Sequence, residues 1–240
     1  MDAILQRKRR SQLFPICLPE GKSCLDASLS LQEAVLYNTE RGSKVYCCFI
    51  DSCKAFDTIW MDGLLCKLYN LGNHGKTWRL LRNWYSTLTN RVIYDGIASS
   101  EFPIRQGVRQ GGVLSPWLFM VFNDDLPKLF QTCNEGLRLG TIPCNPIMVA
   151  DDITLLSTRA KGLQKMLNLL EVYSLKWRFD FSPSKTAIVI FGESTQMLNR
   201  LKNSRAWTLC DQPIDQKHSW PHVAITLSGN FSSSERTEEA

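Results

Sequence analysis

No stretch of this chain approaches the roughly 20 consecutive apolar residues of a membrane-spanning helix, and its polar, basic start is not a secretory signal. A membrane partner is therefore not expected, and an intracellular location is, in the nucleus or the cytoplasm. The nine cysteines include no Cys-x-x-Cys pair, and their odd number and scatter exclude a secreted disulfide framework. Cys47 and Cys48, adjacent in an apolar run, read as small core residues of a reducing compartment. A zinc set is also wanting: Cys210, His218 and His222 lack a fourth ligand at suitable spacing, and Pro221 opposes a helix carrying both histidines on one face. Excess charge of one sign is small as well, with 28 Lys+Arg against 23 Asp+Glu leaving +5. That balance suits a nucleic-acid partner without requiring one. What is present is core-forming material: 240 residues, 44% hydrophobic, enough for one large or two small domains.

Three aspartates stand out against this background. Asp51 closes the apolar run VYCCFID, and Asp151 and Asp152 stand within IMVADDITLL, so each is expected where a buried strand emerges. An Asp-Asp pair standing alone is better read as a solvated hairpin turn. Three clustered carboxylates are a different matter, because like charges at close range repel strongly unless a cation lies between them. Hard divalent ions such as Mg²⁺ take oxygen ligands and keep positions open for substrate phosphates, so the three acids point to two-metal nucleotidyl transfer.

Between the acidic sites lies IRQGVRQGGVLSPWLFMVFNDDL, in which Gly107, Gly111 and Gly112 form a loop that runs into Ser115-Pro116. Ser followed by Pro predicts an N-cap and a first helical residue, with backbone NH groups facing a phosphate or a base pair.

These segments resemble the motifs of reverse transcriptases. FIDSCKAFD is similar to the first catalytic motif, GVRQGGVLSPWLF to the glycine-rich second and VADD to the third. LKWRFDFSPSKTAIVIFG resembles the fourth with its lysine, and HSWPHVAITLSG the strand pair leading into the thumb. Order and spacing are those of non-long-terminal-repeat, LINE-type retrotransposon enzymes, from about Gly21 to about Ser228. Val149 stands where an aromatic is usual, Ser182 where Asn is common and Ala224 where Gly is frequent, yet none of these removes a metal ligand.

The resemblance implies an α+β polymerase palm and RNA-directed DNA synthesis with two Mg²⁺ ions, or Mn²⁺, on an RNA template and a DNA primer with deoxynucleoside triphosphates. Asp51 and Asp151 become the metal ligands, with Asp152 a weaker ligand or electrostatic support. Phe56 takes the position of the ring beneath the sugar of the incoming nucleotide, with core packing as its alternative. Gln110 and Gly111 match the residues that track the nascent base pair. Lys185 matches the fourth-motif lysine suited to the departing pyrophosphate, and a solvated surface lysine is its alternative. Lys54 and Asp57 complete the first motif or pair locally.

Nothing upstream of about Gly21 resembles the fingers motifs that grip the triphosphate, and no endonuclease or full thumb is recognisable, so a fragment is expected. The rival functions are an inactive relic that still binds RNA or a protein, and another palm polymerase such as an intron maturase. The expected organisation is a basic segment over 1–20, a palm with partial fingers over 21–192, thumb-proximal strands over 193–228 and a frayed tail over 229–240. Arg7-Lys8-Arg9-Arg10 reads as a nuclear address, a phosphate contact or a disordered tip.

Periodicity predicts a strand at 45–51 and helices over 61–71, 76–88 and 115–131. It also predicts a short strand over 91–94, a hairpin over 147–157 and a strand at 186–191. Leu163, Met166, Leu167, Leu170, Tyr173 and Trp177 recur at helical spacing. Trp78, Leu81, Trp84, Tyr85 and Leu88 mark one face of the 76–88 helix, and Trp60, Trp84, Trp117 and Trp177 are expected in the core.

Overall fold

The computed structural model describes residues 24–194, 207–222 and 225–228. The basic run Arg7–Arg10, Ala224 and the polar tail lie outside the described residues. The elements begin with α1 (Cys24–Thr39), β1 (Val45–Ile50), α2 (Met61–Asn70) and α3 (Lys76–Ser86). Four two-residue strands follow: β2 (Thr89–Asn90), β3 (Ile93–Tyr94), β4 (Ile97–Ala98) and β5 (Phe102–Pro103). Next come α4 (Ser115–Phe122), α5 (Leu126–Cys133), β6 (Arg138–Leu139), β7 (Ile142–Pro143), β8 (Ile147–Val149), β9 (Asp152–Ser157) and α6 (Ala160–Trp177). A 3-10 turn at Pro183–Lys185 leads into β10 (Ala187–Phe191), then β11 (Trp207–Leu209), β12 (Gln212–Lys217), β13 (Ser219–His222) and β14 (Ile225–Ser228). This is an α+β fold.

The chain forms two compact units. The first holds Lys54–Asp124 and Trp177–Phe179; the second holds the described residues up to Cys53, Asp125–Lys176 and those from Asp180 onward.

The second unit is built on a six-stranded sheet in the order β11-β12-β10-β1-β9-β8. β1 lies centrally, antiparallel to β9 and β10, while β12 joins β10 in parallel. All six residues of β1 are buried, which is why VYCCFI reads as an unbroken apolar run instead of alternating. Val45, Cys47 and Phe49 share a cluster with Leu156, Val189 and Phe191, packed with Ala27, Leu31, Ala34 and Val35 of α1. The register pairs Cys47 with both Leu156 and Val189, so the alternation of all three strands turns these residues to one face. The stripe expected on α6 is buried throughout, from Leu163 to Trp177. Gln164 ties α6 to β11: its amide donates to the Thr208 carbonyl (2.9 Å) and accepts from the Thr208 NH (3.2 Å).

In the first unit α2 packs against α3 and α4. Lys67 is buried here, with its ammonium 3.6 Å from the Trp177 ring centroid and 4.8 Å from that of Phe122, donating to the Phe122 carbonyl. Phe122 ends α4, so a cation meets the carbonyl end of a helix, where the dipole favours it.

Several local expectations are corrected. The 115–131 helix is two helices, α4 and α5, broken at 123–125. Pro127, with no NH and a ring that clashes one turn back, cannot continue α4, and Asn123 is buried at the break. Ser115 is the first helical residue and not the N-cap, which is Leu114; its hydroxyl instead donates to the Arg109 carbonyl at 2.5 Å and closes the glycine loop. Of the strand expected over 91–94 only Ile93–Tyr94 forms, as β3, and Arg91 and Val92 separate it from β2. Side chains replace ladder partners between the two: Asn90 Oδ1 accepts from the Arg91 NH (2.9 Å) and Ser99 Oγ from the Val92 NH (3.0 Å). Of the four tryptophans expected in the core, Trp177 is buried, Trp60 and Trp117 are half-buried and Trp84 is 43% exposed. The buried stripe of α3 is only Leu81 and Tyr85, one turn apart, and Trp84 lies roughly 100° round the helix from Tyr85.

Candidate active site

In the second unit the antiparallel register delivers two carboxylates to one end of the sheet. Ile50 pairs with Ile153, so Asp51, leaving β1, and Asp152, opening β9, follow at adjacent positions. Asp151 occupies the β8–β9 turn after Ala150, whose φ of 52° lets the chain reverse tightly. All three acids are half-buried. Burial, and then the charges of Asp151 and Asp51, push the Asp152 carboxyl up to about 6. Asp152 therefore feels the charge both of its chain neighbour Asp151 and of Asp51, which is distant in sequence.

A second connection brings Lys185 to the same end. The Cys53 NH donates to the Asp180 carbonyl and the Ser182 NH to the Asp51 carbonyl, both at 2.9 Å, and Ser52 bridges Phe181. The 3-10 turn then carries Lys185 to within 3.6 Å of Asp51, Nζ to Oδ2, with most of the lysine side chain exposed. Ser52 Oγ also donates to the Asp151 carbonyl at 3.4 Å. No motif advertised this seam between the 51–53 and 180–182 segments, because a backbone pairing over such separation leaves no periodic trace.

The carboxylates share a field without forming a closed cage: among the described residues no three His, Cys, Asp or Glu side chains are gathered tightly enough to hold a metal ion. The donor set is nevertheless all oxygen, half-buried and mutually repulsive, which fits a hard divalent cation.

The remaining candidates belong to the first unit. The Phe56 ring is half-buried and stacked on Phe119, centroids 5.0 Å apart and planes at 24°. Its carbonyl accepts from the Val108 NH (2.8 Å), and the Gly107 NH donates to the Ile59 carbonyl (2.9 Å), tying the 56–59 segment to the glycine loop. Gly107 is needed there twice over: its φ is +88°, and an added Cβ would lie 2.7 Å from the Asp57 carbonyl oxygen. Gln110 donates its amide to both Asp57 oxygens at 3.1 Å, leaving the carbonyl oxygen as the end that can meet a ligand. Asp57 is thus a positioning partner of Gln110, a role its place in the first motif did not reveal. Gly111 is exposed at φ +78°, with open space where a side chain would stand.

Residues 14–221 match the family described as reverse transcriptase (RNA-dependent DNA polymerase). The chain belongs to this family. Among curated proteins this reverse transcriptase chain is similar to the RNA-directed DNA polymerase from mobile element jockey of Drosophila funebris, 28% identical over 186 residues. That match takes in 75% of this chain and 19% of the relative. It is also similar to the probable RNA-directed DNA polymerase from transposon BS of Drosophila melanogaster, 30% identical over 194 residues, 77% of this chain and 20% of the relative. The chain thus spans about a fifth of the length of these LINE-type relatives. Among solved structures, apo telomerase from Candida tropicalis truncated from its C-terminal domain matches with a TM-score of 0.58 at 14% identity, covering 86% of this chain and 38% of that one. That likeness speaks to the fold, the polymerase palm.

The acidic cluster carries a pH signature. Because the folded state holds the Asp152 proton more tightly than the ordinary value of 3.8 allows, stability should fall as pH rises from about 4 through about 6. Asp152→Asn removes that penalty. At pH about 7 the variant should be more stable than the parent by on the order of 1 kcal/mol, after discounting for solvent screening, and the difference should vanish towards pH about 4. Thermal melts across this range check it, and a pH-independent difference would refute it. Millimolar Mg²⁺ should stabilise the parent more than the variant.

Proposed function

We propose that this reverse transcriptase chain carries the palm of an RNA-directed DNA polymerase, adding deoxynucleotides to the 3′ hydroxyl of a DNA primer on an RNA template. The observation that supports this most is the field shared by Asp51, Asp151 and Asp152, with Lys185 beside Asp51. Residues 21–192 are read as palm with partial fingers and 193–228 as the approach to the thumb, and a LINE-type enzyme of this kind works in the nucleus.

Asp51, Asp151 and Asp152 would hold two Mg²⁺ ions. Bound there, the ions supply Lewis-acid neutralisation of the phosphates and activation of the attacking hydroxyl. Everything else falls to side chains that position and neutralise, which is most of the work in phosphoryl transfer. The exposed Lys185 ammonium can pair with the leaving pyrophosphate and give it a proton. At their motif positions Phe56 would lie beneath the sugar and the Gln110 carbonyl would meet the nascent pair, with Asp57 holding the Gln110 amide.

Extension of a DNA primer on an RNA template by this chain, dependent on Mg²⁺ and stopped by a chelator, tests the reading. No extension by the chain or by a version lengthened upstream would overturn it. Lys185→Leu should lower the catalytic rate by about 10²-fold, the scale of a lost general acid, with nucleotide KM within a few-fold of the parent. Equal rates would return Lys185 to a surface role.

A further inference from the structure

From Gly63 to Tyr94 the chain has no Asp or Glu, while Lys67, Lys76, Arg79, Arg82 and Arg91 fall within it. Of these Lys67 is buried and the other four are exposed, three of them on α3. The same helix exposes two large apolar side chains, Leu80 at 66% and Trp84 at 43%. A basic helix that leaves an indole in water has left undone the burial its composition invites, which marks a surface for a ligand.

The indole does not stand on a flat surface. Trp84, Tyr85 and Leu88 line an open cavity of about 480 Å³ together with the glycine loop from Arg109 to Ser115. Trp84 and Tyr85 present rings 5.6 Å apart at 37°. Burial raises the Tyr85 phenol pKa, and the charge of Arg109 reaches far enough to offset part of that rise. Aromatic faces, one guanidinium and a glycine loop whose Gly111 has no side chain in the way form a cleft the size of one nucleotide.

We propose that this cleft binds one unpaired nucleotide of an RNA strand, its base stacked on Trp84 and its phosphate met by Arg109, with the flanking backbone crossing the exposed face of α3 over Lys76 and Arg79. Stacking on an indole needs only a π-face, so the subsite takes any base, and a basic track beside it follows the phosphates. RNA is the occupant because the proposed function supplies an RNA template, and the inference rests on that reading. Family motifs do not assign Trp84 or the α3 arginines.

The test is anisotropy of a labelled, unstructured oligoribonucleotide binding to the full chain, with folding checked by circular dichroism. Trp84→Ala should weaken binding by about 10-fold, within the range measured for one stacked base, and Trp84→Phe should restore most of it. Lys76→Ala with Arg79→Ala should weaken binding and flatten its salt dependence by about 0.7 for each phosphate no longer neutralised, whereas Trp84→Ala should leave the salt slope unchanged. A folded Trp84→Ala variant that binds RNA as the parent does would overturn the proposal, as would a Trp84→Phe variant as weak as Trp84→Ala. Primer extension separates the two readings: extension with Trp84-independent RNA binding sinks this subsite alone, and Trp84-dependent binding without extension sinks the polymerase reading alone.

Discussion

Asp151→Asn should abolish primer extension, with a fall on the order of 10³-fold or more, while RNA affinity stays equal or rises slightly. The rate effect follows from removing one of the oxygen donors that would hold the metal ions, whose Lewis-acid contribution is several kcal/mol of transition-state stabilisation. The affinity effect has the opposite sign because a negative charge facing the phosphates disappears. The fold should not change. The Asp151 backbone carbonyl, not its carboxylate, receives the Ser52 hydroxyl, and the tight turn depends on Ala150. One further readout is specific to the cluster: with the Asp151 charge gone, the Asp152 carboxyl should titrate below its value of about 6, measurable by carboxyl-carbon NMR. Extension at the parent rate would remove Asp151 from the chemistry.

Phe56→Ala should loosen sugar discrimination. A ring under the 2′ carbon rejects ribonucleotides by a clash with the hydroxyl and by leaving it unpaired. Phe56 stacks its ring on Phe119, and the Val108 NH holds its backbone carbonyl, so both ring and backbone resist displacement by a bulkier sugar. In primer extension the variant should incorporate ribonucleotides about one to two orders of magnitude more readily relative to deoxynucleotides, the scale of roughly 1–3 kcal/mol for a steric selection. Competition between the two nucleotide types on one template reads this directly. Discrimination that stays unchanged with activity intact would make Phe56 a packing residue propped by Phe119.

The sheet was legible in the sequence because its signals are local. VYCCFI is unbroken because both faces of β1 are covered, and α6 showed its stripe because one face is buried along its whole length. α1 is the helix that no motif marks, although Ala27, Leu31, Ala34 and Val35 carry the helical spacing that buries it. The break at 123–125 turns on Pro127, a single residue whose effect is hidden by the apolar helical pattern on either side of it. The candidate site was legible only in its identities. Which acids feel one another, that Asp57 engages Gln110, and that the 180–182 segment lies along 51–53 are long-range pairings with no periodicity to betray them. Trp84 was misplaced for a different reason: an aromatic on a helical face is usually core, and only the narrowness of the Leu81–Tyr85 stripe leaves it outside.

The register of β1 between β9 and β10 has an evolutionary corollary. The hydrophobic alternation that sorts side chains into the core also works as a ruler, because the same pairing that seats Cys47 opposite Leu156 sets Asp51 beside Asp152. Exchanges among apolar residues along these strands leave the ruler unmarked, so lineages can drift far in identity while the acidic end stays aligned. Insertion of a single residue within β1 is another matter: it turns one stretch of the strand inside out and moves Asp51 out of step with its neighbours, so core and chemistry fail together. Descendants of such an element should therefore differ freely in what these strands are made of and hardly at all in how long they are.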